Sequence, residues 1–195
     1  MFFKNLTSIF CNKIHGKNTD YFLRFKYQFL KEFYGISCLD IGAGTGRFSR
    51  YLKRKGHRVI PIDVVDKSTV NFKIEKFDGT HLPMLDKTVD TSIFMFVLHH
   101  ATSQLDLLKE AVRVTKKHII VGEDVMENIF DRMMGSIHLN TSPWSKAVDS
   151  FHTEKDWINI FCKLKLKLVQ VIRIPRIVYP VYPVSRTIYV LEVDH

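Results

Sequence analysis

A chain of 195 residues is long enough to build one full sheet with helices on both faces. Apolar residues at 46% and charged residues at 25% are globular proportions, which exclude a disordered or membrane-embedded chain. The net charge of +9 admits acidic partners, RNA or an anionic membrane surface, and its plainer reading is a solvated basic face. No apolar run approaches the ~20 residues of a transmembrane helix. Phe2, Phe3, Ile9 and Phe10 are interrupted by Lys4, Asn5 and Asn12, against a signal peptide, so a cytoplasmic location is expected. Cys11, Cys38 and Cys162 are scattered and read as structural thiols, with no disulfide framework or zinc spacing.

Residues 1–33 read as two helical pieces. Phe2, Phe3, Leu6, Ile9 and Phe10 form one stripe; Tyr21, Phe22, Phe25, Phe29, Leu30 and Phe33 form a second, which Gly35 ends. Residues 37–41 are the first strand. They lead into Asp40-Ile41-Gly42-Ala43-Gly44-Thr45-Gly46 and a helix to Lys55 with Phe48, Tyr51 and Leu52 on one face. Residues 58–63 form the second strand and end in Asp63. The short crossover after it leaves room for a turn rather than a helix. Residues 72–77 are the third strand, followed by Asp78-Gly79-Thr80.

The fourth strand, residues 91–98, is continuously apolar, as a strand buried on both faces should be, and His99-His100 sits at its carboxyl end. Ser103 starts a helix that turns Leu105, Leu108, Ala111 and Val112 to the sheet. Residues 118–122 are the fifth strand, tipped by Glu123-Asp124. A helix over 125–134, a loop over 135–152 and a Thr153-capped helix over 154–164 follow. Residues 166–174 and 187–193 alternate as the last two strands, joined by a segment rich in proline.

The glycine loop sits where a doubly wound sheet binds nucleotides: glycine permits positive φ and lets a ligand lie against backbone at a helix N-terminus. A dinucleotide fingerprint wants a further glycine where this chain has Arg47. The run 40–46, then Asp63, then Asp78-Gly79-Thr80 with Leu82-Pro83, then Val97-Leu98-His99-His100, then Glu110-Ala111-Val112-Arg113-Val114 instead resembles class I S-adenosylmethionine-dependent methyltransferases. The likeness covers roughly 37–193 and is to the small-molecule, type 11-like branch. It implies an α/β, Rossmann-like, seven-stranded mixed sheet with helices on both faces and the last strand antiparallel. It implies S-adenosyl-L-methionine as cofactor, with Asp40, Gly42 and Gly44 bordering its methionine part, Asp63 the ribose, Asp78 the adenine amino group, and Met95 and Phe96 alongside.

Methyl transfer from a sulfonium is an in-line displacement in which the protein mainly positions donor and acceptor. Where the acceptor needs a base, His99, His100 and Glu123 lie at strand ends where open sheets bind ligands. His99, His100, Glu123, Asp124, His138 and His152 lack the paired spacing of a metal motif, so no metal is expected. The expected acceptor is a small molecule of aromatic, lipid or natural-product character. RNA, favoured by charge but without an Asn/Asp-Pro-Pro-aromatic motif, is the alternative, as is a non-catalytic partner subunit that binds the cofactor. Residues 1–36 are expected to form a lid over a domain at 37–195, with peripheral membrane contact through the basic, aromatic start as the rival account.

Overall fold

The computed structural model describes residues 22–68, 72–141, 151–176 and 182–194. Its strands are β1 (Ser37–Ile41), β2 (Arg58–Asp63), β3 (Glu75–Lys76), β4 (Val89–Met95), β5 (Thr115–Val125), β6 (Leu166–Ile174) and β7 (Ser185–Val193). Among the described residues they form one seven-stranded sheet in the order β3-β2-β1-β4-β5-β7-β6. The first five are mutually parallel, and β7 runs antiparallel between β5 and β6. The expected mixed sheet with an antiparallel last strand is therefore the one observed.

Alternation along the interior strands sends side chains to two cores. On one face, α1 (residues 22–30) and α2 (Arg47–Arg54) pack Phe22, Leu30, Tyr34, Phe48 and Leu52 against Cys38, Ile93, Ile120 and Ile188. On the other, α3 (Gln104–Val114) and α5 (Glu154–Lys163) pack Leu107, Leu108, Trp157 and Phe161 against Leu39, Phe94, Ile119 and Tyr189. Each fully buried aliphatic or aromatic side chain in these layers contributes roughly 1.5–3 kcal/mol. α5 begins at a capping box: Thr153 Oγ1 accepts from the Asp156 amide at 3.2 Å, and Asp156 Oδ2 accepts from the Thr153 amide at 3.0 Å.

The structure corrects several boundaries. β3 keeps two paired residues of the expected six, because only Glu75 and Lys76 find partners on β2. β5 starts at Thr115 and runs to Val125, drawn out by its long antiparallel ladder with β7, so Glu123 and Asp124 lie within the strand. Part of the expected loop after residue 134 is helical, since α4 spans Ile129–Thr141. On α3 Leu105 is exposed, and Leu107 and Val114 take the buried positions. On α1 the buried face is Phe22, Leu23, Lys26 and Leu30, with Phe29 49% exposed. The first aromatic stripe and the rest of the N-terminal segment through Tyr21 lie outside the described residues.

Asp90 ties the turn after α1 to the amino end of β4. Its Oδ2 accepts from the amides of Ile36 and Ser37, both at 2.9 Å, and from Ser37 Oγ at 3.1 Å. Thr91 Oγ1 adds a bond to the Phe33 carbonyl at 2.6 Å.

Candidate functional site

The loop after β1 is shaped by backbone. Gly42 and Gly44 both have positive φ, 73° and 57°. A Cβ on Gly42 would meet Val97 Cγ2 at 2.2 Å, whereas at Gly44 the nearest atom is the Gly42 carbonyl oxygen at 4.0 Å. Gly42 is thus a packing requirement, and Gly44 leaves open space along the loop. The Gly42 and Ala43 amides both donate to the Ile62 carbonyl, at 2.9 and 3.0 Å, which holds the loop against the end of β2.

Three acids surround this loop. Asp63, the last residue of β2, accepts from the Gly44 amide at 2.8 Å through Oδ2 and from the Val65 amide at 3.2 Å through Oδ1. A carboxylate has about four acceptor positions, so Asp63 retains capacity for two hydroxyls. Asp78 lies in an exposed turn whose Gly79 abuts Val64, next to Asp63. Its Oδ1 takes the amides of Thr80 and His81, both at 2.7 Å, and these bonds hold the carboxyl below its usual range. Asp40 is buried beneath the loop and accepts a short hydrogen bond from Ser49 Oγ. Burial pushes its pKa up, against the pull of Ser49 and of Lys26.

Lys26 was missed in the sequence. It is 6% exposed, with Nζ 3.9 Å above the Phe48 ring and 4.8 Å from Phe22. Burial lowers its pKa to about 8, partly offset by Asp40. Its signal was a lysine four residues from both Phe22 and Leu30, in the middle of the buried face.

At the carboxyl end of β4 the chain turns sharply. Phe96 has φ of 59°, a conformation that costs a bulky residue about 1–2 kcal/mol and points to a constrained site. The Phe96 ring lies 6.0 Å from Phe22 and 5.7 Å from the Arg186 guanidinium, and its amide donates to the Gly122 carbonyl at 2.7 Å. Met95, just before it, places its sulfur beside Gly122.

Leu98–His100 is a single turn of 3-10 helix held by Glu123. Glu123 Oε1 accepts from the amides of Val97 and Leu98 at 2.9 and 2.7 Å, and Oε2 bonds His99 Nδ1 at 2.6 Å. His99 is 2% exposed. Burial alone would lower its pKa, but the charge and hydrogen bond of Glu123, with Asp124 beyond, raise it. His100 is pushed down to about 3 by burial first and then by His99 and His138. His138, on α4, is also lowered, chiefly by burial.

The three imidazoles meet, with ring centroids 4.1 Å apart for His99–His100, 5.6 Å for His99–His138 and 5.5 Å for His100–His138. Phe151 stacks on His99 at 5.0 Å and Tyr182 on His138 at 5.3 Å. Beneath them Arg186 pairs with Asp124 at 2.8 Å, across the β5–β7 register that sets the two side by side. The structure therefore unites His99 with Glu123 and Gly44 with Asp63, adds Tyr182, Phe151 and Arg186, and brings to His99 the His138 that spacing alone set aside. None of these four had a local signal, since each depends on tertiary register.

A family model described as a methyltransferase domain matches residues 39–121. Malonyl-[acyl-carrier protein] O-methyltransferase of Hamiltonella defensa subsp. Acyrthosiphon pisum is 26% identical over 125 residues, covering 60% of this chain. The chain spans about half of that relative, 46% of its length. Among solved structures, a SAM-dependent methyltransferase from Archaeoglobus fulgidus superposes with a TM-score of 0.68 at 14% identity, over 95% of this chain and 99% of that one. Another from Aquifex aeolicus gives 0.62 at 19% identity, over 86% and 88%. By its strand order, its glycine loop and the match over residues 39–121, the chain is similar to S-adenosylmethionine-dependent methyltransferases and shares their fold.

Proposed function

We propose that the chain transfers the methyl group of S-adenosylmethionine to a small-molecule acceptor with an apolar or aromatic body. The observation that carries this reading is the aromatic wall at the carboxyl ends of β4 and β5, where Phe22 meets Phe96, and Phe151 and Tyr182 stack on the histidines. Such a wall excludes water and offers few polar groups that would demand partners. α1 closes one side through Phe22, in keeping with a lid. The relative named for malonyl-acyl carrier protein is an O-methyltransferase, which supports an oxygen acceptor.

The cofactor supplies an activated methyl on a sulfonium, and the residues present fit it. Gly44 gives open space on the loop, Asp63 has capacity for the ribose hydroxyls, and Asp78 Oδ2 is left over by bonds that converge on Oδ1. Asp40, Gly42 and Gly44 would border the methionine part, with Met95 and Phe96 alongside. The protein's own contribution is positioning donor and acceptor in line in a dry site. His100, with its pKa near 3, is a weak base at neutral pH, and Glu123 serves first to hold the Val97–His99 turn.

Two measurements test the reading. At a hundredfold excess over its dissociation constant, S-adenosylmethionine should stabilise the protein by roughly 2.7 kcal/mol, seen as a melting shift, and NAD(H) should give none. Turnover of labelled cofactor should then occur with a small-molecule or lipid extract. Methylation of RNA with no small-molecule product would overturn the acceptor class.

A further inference from the structure

We propose that His99, His100 and His138 form a three-imidazole binding site for a zinc ion or another late first-row divalent metal, beside the acceptor wall. Each histidine offers a ring nitrogen, and the three nitrogens lie within 4.8 Å of one another. A tetrahedral ion with Zn–N bonds of ~2.0–2.1 Å needs its ligands ~3.3 Å apart, so closure by at most about 1.5 Å completes the site. His100 and His138 are only half-buried and sit on a short turn and a helix, where ring rotation can supply that movement.

The chemistry around the cluster suits a metal. Glu123 holds His99 Nδ1 at 2.6 Å, which orients the ring and presents Nε2 on its opposite edge. That is the carboxylate–histidine support that metal-ligating imidazoles usually have, and it raises ligand basicity. Glu123 is itself pinned by the Val97 and Leu98 amides, so the arrangement is rigid. Three nitrogen ligands without thiolate match zinc sites that keep a fourth position for water or an anionic oxygen. The sequence hides the site because two ligands are adjacent and the third lies 38 residues on, in no motif spacing.

The rival account is an imidazole–aromatic stack with Phe151 and Tyr182 that binds nothing. The site stands on these side chains alone and is measured without cofactor or acceptor, so its failure leaves the methyltransferase reading untouched. The full chain, stripped with chelator, is titrated with ZnCl2 by calorimetry and with CoCl2 by visible absorption. One saturable ion per chain is expected, with tetrahedral d–d bands free of thiolate charge transfer. His138→Gln should weaken binding about 100-fold or more, and Glu123→Gln by roughly 10–100-fold. His152→Ala, whose ring bonds Gln104 at 2.6 Å, should bind as the parent does. Should His138→Gln fail to fold, the cobalt spectrum of the parent chain still decides. Absence of stoichiometric binding, thiolate bands, or affinity unchanged in His138→Gln overturns the site.

Discussion

Around Gly42, Gly44 and Asp63 the site is made largely of main chain, within one β-α-β unit, and its bonds run from backbone amides to a carbonyl or a carboxylate, with Asp40 held beneath by Ser49 Oγ. Around Phe96, His99 and Glu123 it is made of side chains drawn from β4, β5, α4 and β7, stacked and ion-paired. The first region is the proposed cofactor half, and its main-chain geometry tolerates change in the surrounding side chains. The proposed acceptor half is held by side-chain pairings that tolerate little change.

That contrast can be broken in order of expected effect. Glu123→Ala would strand the Val97 and Leu98 amides and His99 in a buried site, at a cost of about 3–5 kcal/mol in a urea midpoint at constant m-value. A loss under 1 kcal/mol would mean that the acceptor half does not depend on its pairings.

Lys26 tests the cofactor half from beneath. Its pKa falls from 10.5 unfolded to about 8 folded, so the unfolded chain binds more protons between these values and stability rises with pH there. Below pH 8 the full penalty applies, ~3 kcal/mol by linkage. Lys26→Met should therefore stabilise the protein by about that much at pH 7, and the gain should vanish as pH climbs toward 10.5. Cys38, pushed up to about 12 by burial, keeps its proton in both proteins and cancels from the difference. A destabilised Lys26→Met would show that the Phe22 and Phe48 contacts and the attraction of Asp40 outweigh desolvation.

Asp63→Ala should weaken S-adenosylmethionine binding by about 1.5–3 kcal/mol in calorimetry, through loss of charge-assisted bonds. An unchanged affinity would remove Asp63 from the cofactor site. The smallest effect on the fold is expected at Gly44. Gly44→Ala should cost only about 1 kcal/mol, the price of its positive φ, while cofactor binding is lost. A large loss of stability there would show that the loop space is structural.

The glycine loop and the Asp63 strand end were legible because they are local: a turn needs its glycines, and strand and helix periodicities are short-range, whereas the mixed seven-stranded sheet came from the family resemblance. The buried run of β4 was legible for the same local reason, though the strand is Val89–Met95 rather than 91–98, because the chain turns at Phe96 into the Leu98–His100 turn. β3 was not, since Phe72 to Phe77 has a strand's composition but β2 offers partners only to Glu75 and Lys76. The α1 face was misjudged because Lys26 takes a core position that Phe29 was expected to share, which the Phe48 and Phe22 rings and the charge of Asp40 make tolerable. Asp124 and Arg186 pair through the β5–β7 register, which periodicity does not specify. His138 met His99 only once α4 extended past residue 134.

The bonds from Asp90 and Thr91 to the turn after α1 also set a schedule for synthesis. The Ile36 amide waits for a carboxylate 54 residues further along the chain. At roughly 5–20 residues per second, that interval is about 3–11 s of translation. Over that time α1 and β1 have left the ribosome without the anchor that seats them, and their aromatic residues face solvent or a chaperone. A substitution at Asp90 would leave that interval without an end, and would lower the yield of folded chain in the cell more than it lowers the stability of the finished protein.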